Sequence, residues 1–265
     1  MKPWDVNWSA LFEKLLDPYD VKARLLPGLL VLVPAIAFLV LLYGRQSPAV
    51  VGLAAVLSSC GGPYLLASFV RTWGQRAQDR LFRKWGAQPS TIMLRHRDGT
   101  LSMQTKLKYH KLVESRLAVA MPTADDELRN PGAADVAYAS AGEALRPLTN
   151  DRKKYPFVFK ELVAYGFNRN AHGARWVGLT VAVLTLLAAA LHAGALRLSP
   201  ISLDLATLDN PHIMVIVLGL GMAGLWCLHF TSATVRMAGF SYAKRLWEAL
   251  EKIQRKPSRA QKLAA

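Results

Sequence analysis

The chain has 265 residues, enough for one large or two small soluble domains, but 52% hydrophobic content with 19% charged residues points away from an ordinary soluble protein. The formal net charge of +15 is unevenly spread. Cys60 and Cys227, the two cysteines, both fall in uncharged stretches, which excludes a disulfide framework or a thiolate zinc site in the charged parts.

Four runs without Asp, Glu, Lys or Arg lie between Arg24 and Arg45, Arg45 and Arg71, Arg175 and Arg197, and Asp209 and Arg236, and hold 20, 25, 21 and 26 residues. A helix needs about 20 apolar residues to cross the hydrocarbon core. Soluble core helices of that length usually carry a polar face, and these runs have none. The expected fold is an all-α membrane protein: four transmembrane helices, with a mainly helical cytoplasmic domain, minor in strand, between helices two and three.

In chain order, residues 1–24 place Trp4, Trp8, Leu11, Leu15 and Tyr19 at helical spacing. They predict an amphipathic helix in the membrane interface or against the protein's own cytoplasmic domain. Residues 25–70 hold spans one (about 25–43) and two (about 48–70). Span one should stay in the mature chain, because a mixed head precedes it and no A-x-A-like site follows; Pro34 predicts a kink. Span two carries Ser-Ser-Cys-Gly-Gly-Pro at its middle. Such a break is tolerated where protein or water satisfies the backbone, making Ser58, Ser59, Gly61 and Gly62 the candidate pore residues. A simple proline kink with close helix packing is the alternative.

Residues 71–175 form a basic segment with 19 Lys and Arg against 10 Asp and Glu. Trp73, Leu81, Phe82 and Trp85 continue the helical rhythm of span two. Thr91 to Leu94 favours a strand, and Asp98-Gly99 signals a turn, so a short hairpin is expected. Leu107, Leu112 and Leu117 resume helical spacing. Asp125, Asp126 and Glu127 sit in a Pro-bounded stretch and read as solvated loop charge before a small-residue helix. Phe157, Leu162 and Phe167 then lead into residues 176–232, which hold spans three (about 176–196) and four (about 211–232). In the tail, 233–265, Phe240, Ala243, Leu246, Leu250 and Ile253 share one stripe suited to an oligomer contact.

Gly219, Gly221 and Gly224 fit the dinucleotide pattern G-x-G-x-x-G, but that pattern needs a βαβ unit with an acidic residue about 20 positions on. These glycines lie within an uncharged run, so close helix packing in lipid is the expected role. Orientation follows from Lys and Arg, which number 4, 1, 19, 1 and 8 over the head, first short loop, central segment, second short loop and tail. Positive charge marks the cytoplasmic side, which places both termini and the central segment inside.

Of the histidines, His192 and His229 fall near opposite ends of adjacent spans, about 20 Å apart in depth, so they cannot share an ion. No H-E-x-x-H or related metal spacing accompanies His96 and His110. No metal, catalytic residue or cofactor is expected, and the chain should not be an enzyme. The stronger signal is basic and aromatic: Arg95, His96, Arg97, Lys106, Lys108, Tyr109, His110 and Lys111 in one group, and Arg152, Lys153, Lys154, Lys160, Arg169, His172 and Arg175 in another, with Tyr155, Tyr165 and Phe167 interleaved. Cations neutralise phosphates, and aromatic faces stack bases at about 1–3 kcal/mol each. A single-stranded oligonucleotide or nucleotide suits such groups; inner-leaflet lipid contacts and intrachain ion pairs are the alternative. Rival functions are a passive membrane scaffold and an enzyme on lipid or polyisoprenoid substrates, the latter wanting acidic metal ligands at span ends where none cluster.

The order Trp-Gly-Ala-Gln-Pro-Ser-Thr-Ile-Met-Leu-Arg-His-Arg-Asp-Gly-Thr (85–100), Thr-Lys-Leu-Lys-Tyr-His (105–110) and Tyr-Gly-Phe-Asn-Arg-Asn (165–170) between two pairs of spans resembles bacterial four-span membrane effectors of anti-phage defence, of the kind found in the Hailong system. The resemblance covers roughly residues 45–235. It implies a homotetrameric ion channel in the bacterial inner membrane, held shut by single-stranded DNA oligomers made by a partner nucleotidyltransferase. Arg95, His96, Arg97, Lys106, Lys108, Tyr109, His110, Lys111, Lys153, Lys154 and Arg169 would hold the oligomer, and its loss during infection would depolarise the cell.

Overall fold

The computed structural model describes residues 17–44, 47–58, 61–199 and 201–253. The head up to residue 16, Arg45, Ser59 and the tail beyond Ile253 lie outside the described residues. Helices dominate, with one two-stranded sheet among the described residues. The chain divides into two compact units, Met1–Gln78 with Gly166–Val235, and Asp79–Tyr165 with Arg236–Ala265.

The first unit contains the apolar helices. α1 runs Pro18–Tyr43. Asp17 caps it by accepting from the Tyr19 amide at 2.7 Å. A π-helical turn at Val21–Leu25 follows, and the helix continues past Pro34. α2 is Pro48–Ser58 and α3 is Gly61–Trp85. The segments Pro48–Val56 and Gly61–Leu94 are bent by 70° from one another. α8 spans Pro156–His192, 37 residues, or roughly 55 Å, well beyond the thickness of a hydrocarbon core. α9, Asn210–Gly224, extends through a π-helical turn to His229. α1, α8 and α9 are each long and apolar enough to cross a bilayer, which marks a membrane protein; α2 and α3 meet that test only when taken together.

Small residues bring these helices together, as packing in lipid requires. Val31, Ala171, Ala174, Ala182, Met222, Trp226 and Phe230 form one core. A Cβ on Gly178 would lie 2.2 Å from the Trp226 ring, and one on Gly173 would lie 2.5 Å from the Trp73 backbone carbonyl carbon. The G-x-G-x-x-G run uses one glycine this way: Gly219 meets Leu186, while Gly221 and Gly224 face open space. Between α8 and α9 the sequence predicts only a short loop. Instead β1, Leu196–Leu198, pairs antiparallel with β2, Ile201–Leu203.

In the second unit, α4 is Pro89–Leu94, α5 Met103–Leu117, α6 Ala124–Arg129 and α7 Pro131–Leu148. α10 is Ser232–Ala249, closed by a 3-10 turn at Leu250–Lys252. The expected strand at Thr91–Leu94 is a helix: Pro89 occupies its first turn, and all six residues are buried. Proline preset for helical φ and burial in a helical core outweigh the strand preference of Thr and Ile. The tail stripe is also corrected. Ala243, Leu246, Leu250 and Ile253 pack inside this unit's own core with Met93, Leu94, Tyr138 and Leu145, so they are not available to a second copy. Trp247, fully buried beside them, donates from Nε1 to the Ser90 carbonyl at 3.1 Å.

Candidate functional site

The Arg-His-Arg-Asp turn, residues 95–98, joins α4 to α5 and carries Arg95, His96 and Arg97 of the predicted basic group; the rest of that group lies on α5. The backbone of the turn is held from below. Lys106, on the first turns of α5 and 1% exposed, reaches up and donates from Nζ to the carbonyls of Arg95 (2.7 Å), His96 (3.2 Å) and Asp98. An ammonium has three donors and no acceptor, so three carbonyls satisfy it in full. On the other side Glu127, 2% exposed, accepts from the His96 amide (2.6 Å), the Arg97 amide (3.4 Å) and the Tyr138 hydroxyl (2.8 Å). Glu127 is thus a buried anchor rather than solvated loop charge, and Asp125 and Asp126 belong to α6. Thr123 and Asp126 cap that helix reciprocally.

The arginines are spoken for as well. Arg95 clamps the Asp135 carboxylate through Nε at 2.7 Å and Nη2 at 2.8 Å, and gives a further bond to the Gly86 carbonyl. Such bidentate pairs are the strong, geometrically specific ones. Arg97 lies 3.6 Å from Glu127 and 3.9 Å from Asp135, with about half its side chain exposed. Of the predicted ligand residues, then, Lys106 and Arg95 act inward, and Tyr109 and His110 are buried. Arg97, Lys108 and Lys111 remain accessible, Lys108 pairing with Glu251 at 2.7 Å.

An open groove of about 440 Å³ runs beside α5, lined by His96, Met103, Leu107, His110, Lys111, Glu114 and the segment from Met121 to Ala124. His96 and His110 meet edge to face at 4.8 Å, and each spends Nε2 on a carbonyl, that of Pro122 (3.1 Å) and Leu94 (2.9 Å) respectively. Lys153 and Lys154 are exposed in the turn before α8, whose backbone amides bond Asp151, and are not among the groove's lining residues. Arg169 belongs to the first unit, where it donates to Gln78 at 3.0 Å and to Asn170 at 3.2 Å. His172 and Arg175 there serve the π-helical end of α9, pairing with the carbonyls of Phe230 (2.8 Å) and Cys227 (2.9 Å). Of the candidate pore residues, Ser58 ends α2, and Gly61 and Gly62 open α3.

The partners Glu127, Asp135 and Tyr138, and the groove wall at Met103, Leu107 and Met121, carry no signal that singles them out in the sequence. At the far end of α8, His192, which the sequence does single out, meets a partner that it does not: His192 Nδ1 sits 2.9 Å from His212 Nε2, and His212 Nδ1 contacts Asp209.

The titration of the anchored turn has a definite sign. Burial lowers the pKa of His110 below the ordinary histidine value, against the opposing Leu94 carbonyl. For Glu127, burial pushes upward but is outweighed by bonds from the His96 amide and the Tyr138 hydroxyl, leaving its carboxyl below the usual range. Burial, helped by Glu248 and Glu251, pushes the Tyr109 hydroxyl up to about 12. A group whose pKa is depressed on folding stabilises the fold above its unfolded pKa and loses that contribution as pH falls. Acidification from about pH 7 to about pH 4 should therefore lower the melting temperature, through His110 first and Glu127 next. His110→Gln should flatten the upper part of that decline, as read by thermal unfolding in detergent; a melting point indifferent to pH in both proteins would contradict the assignment.

No protein family, curated protein or solved structure matches this chain.

Proposed function

We propose that the chain is an oligomeric membrane channel whose basic extramembrane unit binds a single-stranded nucleic acid that controls the gate. In this reading the α2–α3 pair is a fourth, broken span that lines the pore around Ser58, Ser59, Gly61 and Gly62, and both termini share the cytoplasmic side with the basic unit. A homotetramer would repeat the exposed cations around an axis and so strengthen their hold on an anion. A bound oligomer keeps the gate shut only if it binds the closed state more tightly than the open one. A partner nucleotidyltransferase would supply the oligomer, and loss of it during phage infection would open the channel in the bacterial inner membrane.

The observation that supports this best is the groove beside α5. It sets the half-buried His96 ring and the apolar side chains of Met103, Leu107 and Met121, against which a base can pack, next to exposed Lys111, with Arg97 and Lys108 accessible on the same turn and helix. Lys153 and Lys154 add a second exposed cationic group.

The decisive measurement is ion flux from liposomes containing the purified protein, with and without short single-stranded DNA. Flux that falls on adding DNA supports the reading; flux indifferent to DNA, together with no binding by fluorescence anisotropy, ends it. Replacing Arg97, Lys108 and Lys111 together by Ala should weaken binding about tenfold or more and reduce the salt slope by roughly one for each phosphate no longer neutralised. Arg95 and Lys106 are left intact because they hold the turn. Unaltered binding in the triple variant moves the ligand to Lys153 and Lys154.

A further inference from the structure

The hairpin between α8 and α9 is amphipathic. Its register pairs Leu196 with Leu203, Arg197 with Ser202 and Leu198 with Ile201. Residues directly opposite in an antiparallel pair share a face, and alternate residues change face. Leu196, Leu198, Ile201 and Leu203 therefore form one aliphatic face, and Arg197 and Ser202 the polar one. That aliphatic face is uncovered: Leu198, Ile201 and Leu203 are 68%, 84% and 68% exposed, and Leu205 just beyond is 64% exposed. A lone two-stranded hairpin is at best marginally stable in water, so a hairpin of this composition needs something against its apolar side.

We infer that this face lies on lipid, with the hairpin flat in the outer interface of the bilayer. Three residues separate β1 from the end of α8, and six separate β2 from the start of α9. Exposed apolar residues stand on both sides of the hairpin in the chain, Leu184, Leu187 and Leu191 on α8 and Ile213, Met214 and Val217 on α9. Backbone pairing is closed within the element, Asp204 donating its amide to the Ala195 carbonyl at 2.8 Å, so only the outer edges of the two strands keep unpaired groups. Those edges bar entry into the hydrocarbon core but suit the headgroup layer, where water remains. Arg197 on the opposite face is placed to meet lipid phosphates.

The inference rests on α8 and α9 being membrane spans, and the test separates the two claims. In the full-length protein with Cys60 and Cys227 replaced by Ser, single nitroxide labels are placed at Arg197→Cys, Ile201→Cys, Ser202→Cys and Leu203→Cys. Control labels go at Val183→Cys and Leu220→Cys. The proteins are reconstituted in phosphatidylcholine–phosphatidylglycerol vesicles, and collision with oxygen is compared with collision with a water-soluble nickel chelate. Labels at 201 and 203 should favour oxygen, and labels at 197 and 202 should favour nickel. Four nickel-accessible hairpin labels with oxygen-accessible controls would overturn the hairpin proposal while leaving the spans intact. Spin–spin broadening at 201 or 203 would assign the face to a second copy instead, and nickel-accessible controls would remove the membrane reading itself.

Discussion

Lys106→Met should destabilise the Asp79–Tyr165 and Arg236–Ala265 unit by about 3 kcal/mol, the loss of hydrogen bonds from a charged donor less the desolvation the ammonium no longer requires. Methionine fills nearly the same volume, so the packing of α5 survives. What disappears are hydrogen bonds from a charged donor to three carbonyls on a non-helical turn, each worth about 1.5–3 kcal/mol. Part of that is returned, because a buried ammonium no longer has to be desolvated. The Arg95 carbonyl keeps the Asp98 amide at 3.2 Å, but the carbonyls of His96 and Asp98 lose the donor that ties the turn to α5. Lys108→Met on the exposed face of the same helix should cost well under 1 kcal/mol, since its pairing with Glu251 is at the surface. Chemical denaturation followed by tryptophan fluorescence separates the two. Equal midpoints would show that the ammonium is not anchoring the turn. The comparison also bears on any binding assay, because a Lys106 variant that loses oligonucleotide would do so by unfolding the turn that carries Arg97.

How much of this was legible from sequence depends on the solvent each residue meets. Lipid demands long stretches without charge, so the runs before Arg45 and after Arg175 and Asp209 announce helices that α1, α8 and α9 supply. Aqueous parts demand nothing so uniform. Lys106 and Lys111 look alike in a basic string; one meets three carbonyls and the other the rim of a groove, and only the folding of residues 95–98 over α5 tells them apart. Glu127 was hidden in the same way among three consecutive acids, although Thr123 and Asp126 at capping-box spacing already marked a helix start there. The stripe from Phe240 to Ile253 was correctly apolar on one side, yet periodicity cannot say whether its partner is another chain or, as at Leu246 and Leu250, this one. The hairpin went unseen because three-residue strands are too short for alternation to stand out against the apolar runs on either side.

Gly173→Ala should be among the most damaging single-methyl changes in the first unit. The new Cβ would fall 2.5 Å from the Trp73 carbonyl carbon and 2.6 Å from the Gly74 amide nitrogen, so the obstruction is backbone and no rotamer change relieves it. α3 and α8 would have to move apart, and the penalty should reach or exceed the upper end of the roughly 1–3 kcal/mol typical of overpacking. Gly219→Ala also makes a close contact, but with the Leu186 side chain, which can turn aside, and its cost should be smaller. Gly221→Ala points into open space and gains helix propensity of about 1 kcal/mol where nothing opposes it. The expected order of melting temperature in detergent is therefore Gly221→Ala at or above the parent, then Gly219→Ala, then Gly173→Ala far below, with loss of the monodisperse peak on size exclusion. Helices in lipid have no hydrophobic effect to press them together, so the distance of closest approach decides how firmly they hold. A Gly173→Ala protein as stable as Gly221→Ala would mean that α3 and α8 do not meet at this glycine.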